Sequence, residues 1–262
     1  MAWLFSLLQR RIHNLRTVAV ILIILFSSLP LVNLLRNYFK QDESKNYFTY
    51  DYAGNILRSI KKDSIVLTKI WDHYSPWLYL KYVENKRPDV KFIDTELSRR
   101  SWYLKYIQQN YPELYQKSEK EIDRFREQVY LFENGKPYDP NVIEKSYVDM
   151  IQSFLLKNYP EKPVYADLMT DGKFLTPFIQ FPEGMVFRLQ KDIGYYSYSY
   201  PEFQLRGILD QKIYKGGRTL FYLKDYSAMI QNRISYLVYF KQDTLAQTLR
   251  GKYGELLARP FR

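Results

Sequence analysis

Cysteine is absent from the chain, which removes disulfides, thiolate nucleophiles and cysteine-based metal sites together. Histidine is nearly absent: only His13 and His73 occur. A zinc site would have to be assembled largely from carboxylates, so no metal is expected. The ten glycines never fall into G-x-G-x-x-G or G-x-x-x-x-G-K-[ST], and dinucleotide and P-loop chemistry are set aside. Neither a G-x-S-x-G elbow nor an H-E-x-x-H helix is present. No cofactor is expected, and no residue declares itself catalytic.

Acidic residues are the minority charge: 28 Asp and Glu against 39 Lys and Arg give a net charge of +11. The cations are dispersed, with runs no longer than pairs such as Arg10-Arg11, Lys61-Lys62 and Arg99-Arg100. Dispersed basicity suits a domain beside anionic lipid headgroups. Without an RNP-like aromatic strand or a zinc finger, nucleic acid is not an expected partner. What the chain has in quantity is rings, 26 tyrosines and 16 phenylalanines, enough to build one sizeable core.

Residues 17–35 (TVAVILIILFSSLPLVNLL) carry no charge. Nineteen helical residues reach ~28 Å, close to the ~30 Å hydrocarbon core of a bilayer. The run exceeds a signal-peptide h-region of ~7–15 residues and lacks an A-x-A-like cleavage site. An uncleaved anchor is therefore expected, with a signal peptide as the competing form. Arg10, Arg11 and Arg16 precede the run with no acid among them, which favours a cytoplasmic N-terminus and an extracytoplasmic domain. The opening MAWLFSLL reads either as an interfacial stub, with Trp3 and Phe5 in the headgroups, or as the remnant of a preceding membrane helix.

The expected organisation is a stub at 1–16, a transmembrane helix at 17–35, a tether at 36–46, an α/β domain at 47–194, and a final part at 195–262. Residues 50–60 have helical spacing, 64–70 (SIVLTKI) read as a buried strand, Pro76 suits the first position of a helix, and 90–97 (VKFIDTEL) form a second strand. Ser101 is a candidate N-cap, Pro112 a kink or stop, and 118–135 and 141–160 are helical. Short strands follow at 164–169 and 185–189. The strands are too continuously apolar for a one-sided sheet, which predicts an α/β fold: a small parallel sheet of three to five strands covered by helices. In the final part, YYSYSYPEF reads as a ring-packed loop, QKIY-KGGR-TLFYL as a hairpin turning at Gly216-Gly217, and the end from residue 226 as a helical hairpin broken near Gly251. This part holds eleven Lys and Arg against five Asp and Glu, about half the net charge.

The most chemically loaded stretch is Trp71-Asp72-His73-Tyr74-Ser75-Pro76, after the first strand. Ligands of open α/β sheets bind beyond the carboxyl ends of strands. Asp72 and His73 could serve there as acid and base, or as donors to a sugar or phosphate; the ordinary alternative is a capping Asp72 and a surface His73. Asp94 and Glu96 end the second strand, near Asp72 if the strands are neighbours. They could join it in a carboxylate cluster, or simply form a solvated strand end paired with Arg87 or Arg99. Trp77, Trp102, Tyr103 and the tyrosines at 195–200 offer stacking surface for a sugar or headgroup, or else fill the core. Arg87 is expected to tie down a loop carbonyl or carboxylate.

Across WDHYSPWLYLKYVENKRPDVKFIDTELSRRSWYLKYI the sequence resembles the C-terminal extracytoplasmic region of a family of multi-spanning membrane proteins related to the eukaryotic transmembrane O-mannosyltransferases. The matching elements run in order: Leu29-Pro30-Leu31 in the last membrane helix, Asp51-Tyr52-Ala53 with Asn55 and Leu57, Trp71-Asp72 with Ser75, Tyr79, Glu84, Arg87-Pro88-Asp89-Val90, Trp102-Tyr103, Pro163-Val164-Tyr165, Pro182-Glu183-Gly184, and Leu245-Ala246 with Gly251. The resemblance implies a glycosyltransferase system that takes sugar from a polyprenyl-phosphate donor on the outer membrane face, with its catalytic acid in an early loop of a multi-helix part. This chain matches only the final helix and the domain after it. Where many relatives carry Gly-Asp-x-Asp at the strand end, it has Ile70-Trp71-Asp72-His73. The expected role is a membrane-anchored accessory or substrate-binding domain, working with membrane lipid, a multi-spanning glycosyltransferase partner and a glycan or polypeptide ligand. The alternatives are a free-standing carbohydrate-active enzyme using Asp72, His73, Asp94 and Glu96, or an inactive fragment of a truncated gene.

Overall fold

The computed structural model describes residues 2–208, 210 and 212–258, with side chains from Leu15 onward. The headgroup contacts expected of Trp3 and Phe5 lie outside the described side chains. Two compact units form: residues 1–46 with 209–216, and residues 47–208 with 217–262.

The first unit is dominated by helix α1 (Ala2–Gln41). Within its stretch Leu15–Gln41, the most apolar window of 18 residues has a mean hydropathy of 2.6, and none of that window is buried. Among the described residues it is the one helix long and apolar enough to cross a membrane. Pro30 sits inside it without ending it, and polar side chains bond within the helix, as Ser28 Oγ does to the Leu25 carbonyl (2.8 Å).

The second unit is α/β. Strands β1 (Ile65–Thr68), β2 (Lys91–Asp94), β3 (Val164–Ala166), β4 (Ile179–Glu183) and β5 (Val186–Gln190) form one sheet in the order β2-β1-β3-β5-β4. β1 pairs in parallel with both β2 and β3, with Thr68 opposite Asp94. The expected neighbouring parallel pair is therefore present. Its short crossover is helix α3 (Trp71–Tyr82), which leaves little room for another arrangement. Every residue of β1 is buried, as a central strand covered on both faces requires.

The sheet is mixed rather than purely parallel, because β5 runs antiparallel to β3 and β4. β4 and β5 are joined through Gly184-Met185, and Gly184 takes φ +63° at the first turn position, a conformation open to glycine without strain. The Ser59 hydroxyl fills the space a Cβ would need there and accepts from Met185 N (3.0 Å).

Helices α2 (Phe48–Ser59), α4 (Ser101–Asn110), α5 (Pro112–Lys117), α6 (Glu119–Glu133) and α7 (Pro140–Leu156) complete the cover, followed by α8 (Gly217–Tyr239) and α9 (Asp243–Leu257). Pro112 stops α4 and starts α5 as its first residue. The expected C-terminal helical hairpin is formed by α8 and α9. Its turn lies at residues 240–242, and non-helical geometry appears at Tyr253, close to Gly251.

Two local expectations are corrected. Gly216-Gly217 does not turn a β-hairpin: Gly217 opens α8, while Gln211 of the expected first arm lies outside the described residues. The buried set Thr219, Tyr222, Leu223, Tyr226, Met229, Ile230, Arg233 and Leu237 keeps a helical period over about five turns, and that long-range periodicity outweighs the strand-like TLFYL. Pro76 is not at the start of its helix either. α3 begins five residues earlier, at Trp71. Proline lacks the N–H that would bond the Asp72 carbonyl, and the Tyr222 hydroxyl donates to that carbonyl instead (3.1 Å).

Candidate functional site

The early start of α3 decides the site, because it puts Asp72 and His73 in a helical first turn rather than a free loop. His73 points inward and is 1% exposed. Its Nδ1 lies 2.8 Å from Asp167 Oδ2 and its Nε2 lies 3.0 Å from Asp225 Oδ2. Thr68 Oγ1 donates to Asp167 Oδ2 (2.6 Å), and Thr170 Oγ1 and Met169 N donate to Oδ1 (2.7 and 3.0 Å). The Tyr52 hydroxyl donates to Asp225 Oδ2 (2.9 Å), and its ring stacks on Tyr222 at 4.5 Å.

The electrostatics follow from this packing. Burial pulls the His73 pKa down, but hydrogen bonds and charge from Asp167 and Asp225 outweigh it, raising the value to about 9. His73 is thus an imidazolium at neutral pH, donating from both nitrogens. Burial works against the Asp167 carboxylate, yet its bonds to His73, Thr68 and Thr170 hold its pKa below the usual range. Burial and the Asp225 charge push the Tyr52 phenol far up, so it stays a neutral donor.

This network joins α2, β1, α3, the segment after β3, and α8. A proton relay needs an open side, and both ring nitrogens here are already committed. What the arrangement does is lock the carboxyl end of the sheet to α8. The sequence singled out His73 but missed Asp167, Asp225 and Tyr52. One signal was available: Asp225 falls on the buried stripe of α8, between Tyr222 and Met229, where an unpaired acid would be costly.

The carboxylates expected to converge have separate duties. Asp72 is half-exposed and pairs with Arg218 Nε at 2.6 Å. Asp94 is buried and its Oδ1 accepts from the backbone N–H of Leu97 (2.9 Å), the first residue of the turn Leu97–Arg99. Burial pushes its pKa up to about 6, against the backbone N–H groups of Leu97 and Glu96. Glu96 is exposed and pairs with Arg99 (3.5 Å). Among the described residues no cluster of three His, Asp or Glu side chains could hold a metal ion.

The tryptophans divide as sharply. Trp77 is 1% exposed, with its ring 4.4 Å from that of Phe92, and is a core residue rather than a surface platform. Trp102 is 58% exposed and Trp71 is 55% exposed. They are the two ends of a row of four rings: Trp71 to Tyr74 (6.0 Å), Tyr74 to Tyr103 (6.2 Å), and Tyr103 to Trp102 (5.7 Å). The Tyr103 hydroxyl donates to Tyr74 (2.9 Å) and accepts from Asp94 N (3.1 Å), fixing the row to the strand end. Arg87 performs its expected tie: Nη1 donates to the carbonyls of Leu57 and Ile60, Nη2 to that of Lys61, and Nε to Asp89.

No family model matches the chain, and no solved structure matches it. One curated relative is the mouse protein described as Protein O-mannosyl-transferase TMEM260, 33% identical over 76 residues. The aligned part is 29% of this chain and 11% of the mouse protein, so the chain spans only about a tenth of that relative's length. The similarity is to a glycosyltransferase, and it accompanies one helix fit to cross a membrane.

Proposed function

We propose that the chain is a membrane-anchored domain of a polyprenyl-phosphate-sugar-dependent glycosyltransferase system, in which it binds the glycan or polypeptide acceptor while a multi-spanning partner carries out transfer. The carrying observation is the contrast at the carboxyl end of β1 and β2. The histidine is sealed between two carboxylates, while the indoles of Trp71 and Trp102 stand in solvent at the ends of one fixed row of rings. Exposed rings held by buried ones suit stacking on the apolar face of a sugar or on a peptide backbone. Asp72 and Glu96 lie at the same end and supply polar contacts. The partial similarity to a protein O-mannosyltransferase supports the sugar class. Arg10, Arg11 and Arg16, ahead of the apolar run 17–35, support a cytoplasmic N-terminus with the domain on the extracytoplasmic side.

The test supplies the purified full chain, in mild detergent, with polyprenyl-phosphate mannose and an acceptor peptide, and reads product by mass. No transfer is expected from the chain alone. Product that disappears on Asp72→Asn would replace this reading with that of a free-standing enzyme.

A further inference from the structure

A second site lies apart from the row of rings and shares no residue with it. A groove of about 630 Å³ opens between α2, the turn that follows α3, and residues 204–206. Its walls carry Arg58, Lys86, Arg87 and Arg206, beside the Tyr50 ring and Leu80.

The four cations are not equivalent. Arg87 has every N–H engaged by the carbonyls and the carboxylate already named, so it contributes field and rigidity rather than a free donor. Arg206 is held by Asp51 through Nε and Nη2 (3.1 and 2.6 Å) and stacks on Tyr47 at 4.2 Å. Its Nη1 has no acceptor among the described residues. Lys86 pairs with Glu84 (2.6 Å) and lies over the Tyr50 ring at 4.8 Å. Among the described residues Arg58 alone of the four faces no carboxylate: Nη1 donates to Asn55 Oδ1 (2.9 Å), and its remaining N–H groups meet no acceptor there.

The backbone holds these groups in place before any ligand arrives. Asn85 and Arg87 both take positive φ, 51° and 49°, and Lys86 N donates to the Leu80 carbonyl (2.8 Å). Non-glycine residues in this region cost energy and are kept only where the surroundings fix them. Here the fixed turn holds Lys86 in the lining of the groove that also contains Arg58. Gly54 also lines the groove, and a Cβ there would meet Arg58 Nη1 at 3.3 Å.

We propose that this groove binds a phosphate ester, with Arg58, Lys86 and the free edge of Arg206 as donors to its oxygens. Guanidinium and ammonium groups lining one cavity match a tetrahedral anion with three free oxygens better than a planar carboxylate with two. The single cation without a counter-charge sets the sign of the ligand. The phosphate can be a soluble ester or a lipid headgroup, and the two differ in whether acyl chains add affinity. This inference does not depend on the proposed acceptor-binding role.

The test titrates the full chain in mild nonionic detergent with glycerol 3-phosphate, with dihexanoyl phosphatidic acid, and with dihexanoyl phosphatidylcholine, by calorimetry. Saturable binding of the two phosphate monoesters is expected, weakened about tenfold by Arg58→Gln and separately by Lys86→Gln, for a loss of roughly 1.4 kcal/mol in each. Lys105→Gln, an exposed cation on α4, should leave it unchanged. Tighter binding of phosphatidic acid than of glycerol 3-phosphate identifies a headgroup site, and equal binding identifies a soluble ester site. Both groove residues are solvent-facing, so melting curves should match the parent. Absence of saturable binding by either monoester, or full binding retained by both groove variants, overturns the proposal.

Discussion

His73 Nδ1 lies 2.8 Å from Asp167 Oδ2, and neither side chain reaches solvent. That pair, with Asp225 on the other ring nitrogen, makes stability depend on pH in a direction set by the shifts. The His73 pKa is raised from 6.5 to about 9 on folding. Its contribution is therefore complete below pH 6.5 and lost as pH rises through 9, a change of roughly 3 kcal/mol. Asp167 acts in the opposite sense: its pKa is lowered, so its contribution is present above the ordinary 3.8 and lost as pH falls through the folded value. Denaturation in mild detergent should show the midpoint falling between pH 6.5 and 9. His73→Gln should abolish that slope and cost about 3–5 kcal/mol at pH 6 by leaving two buried carboxylates without their cation. A catalytic, solvent-open histidine would instead tolerate the substitution with little change in stability.

Asp94 acts in the same sense as His73 and opposite to Asp167. Its folded pKa of about 6 lies above the ordinary 3.8, so its favourable contribution is complete below pH 3.8 and lost as pH rises through 6. Above that, the domain carries a buried carboxylate it would bind better protonated. Asp94→Asn keeps an oxygen for Leu97 N and should raise stability at pH 7.5 by on the order of 2 kcal/mol, with no gain at pH 3.5. A loss at pH 7.5 would mean that the charge itself is needed there.

The proposed anchoring through α1 predicts that the full chain stays in the membrane pellet after high-salt and alkaline washing, and the proposed orientation predicts that a reporter fused after Arg262 is active only outside the cytoplasm. Release into the supernatant, or a chain shortened beyond residue 30, would identify residues 17–35 as a cleaved signal. A cytoplasmically active reporter would reverse the orientation.

The elements legible in the sequence were those whose signal is local. β1 and β2 read as apolar runs with one helix between them, and their parallel pairing followed from the length of that crossover. β4 was not legible: Gln180 and Pro182 interrupt its run, and it becomes a strand by pairing with β5. The start of α3 was hidden because Pro76 carries the same local signal at a first turn as inside a helix. What separates the two cases is Tyr222, 146 residues later, bonding the carbonyl that proline leaves free. The candidate site divides the same way. Asp72, His73 and Trp102 were found at the sheet end, but burial was invisible: Trp77 packs on Phe92, and the partners of His73 come from positions 167 and 225. Long-range polar pairing leaves no period in a sequence.

The most direct measurement is calorimetric titration of the full chain, in mild detergent, with an α-mannosylated peptide, repeated with a Trp71→Ala/Trp102→Ala variant. Because both rings are exposed, the variant should melt within about 1 kcal/mol of the parent. The account predicts saturable binding by the parent that is lost in the variant, while the buried network around His73 stays intact. No binding by the parent, or equal binding by the two proteins, would contradict it.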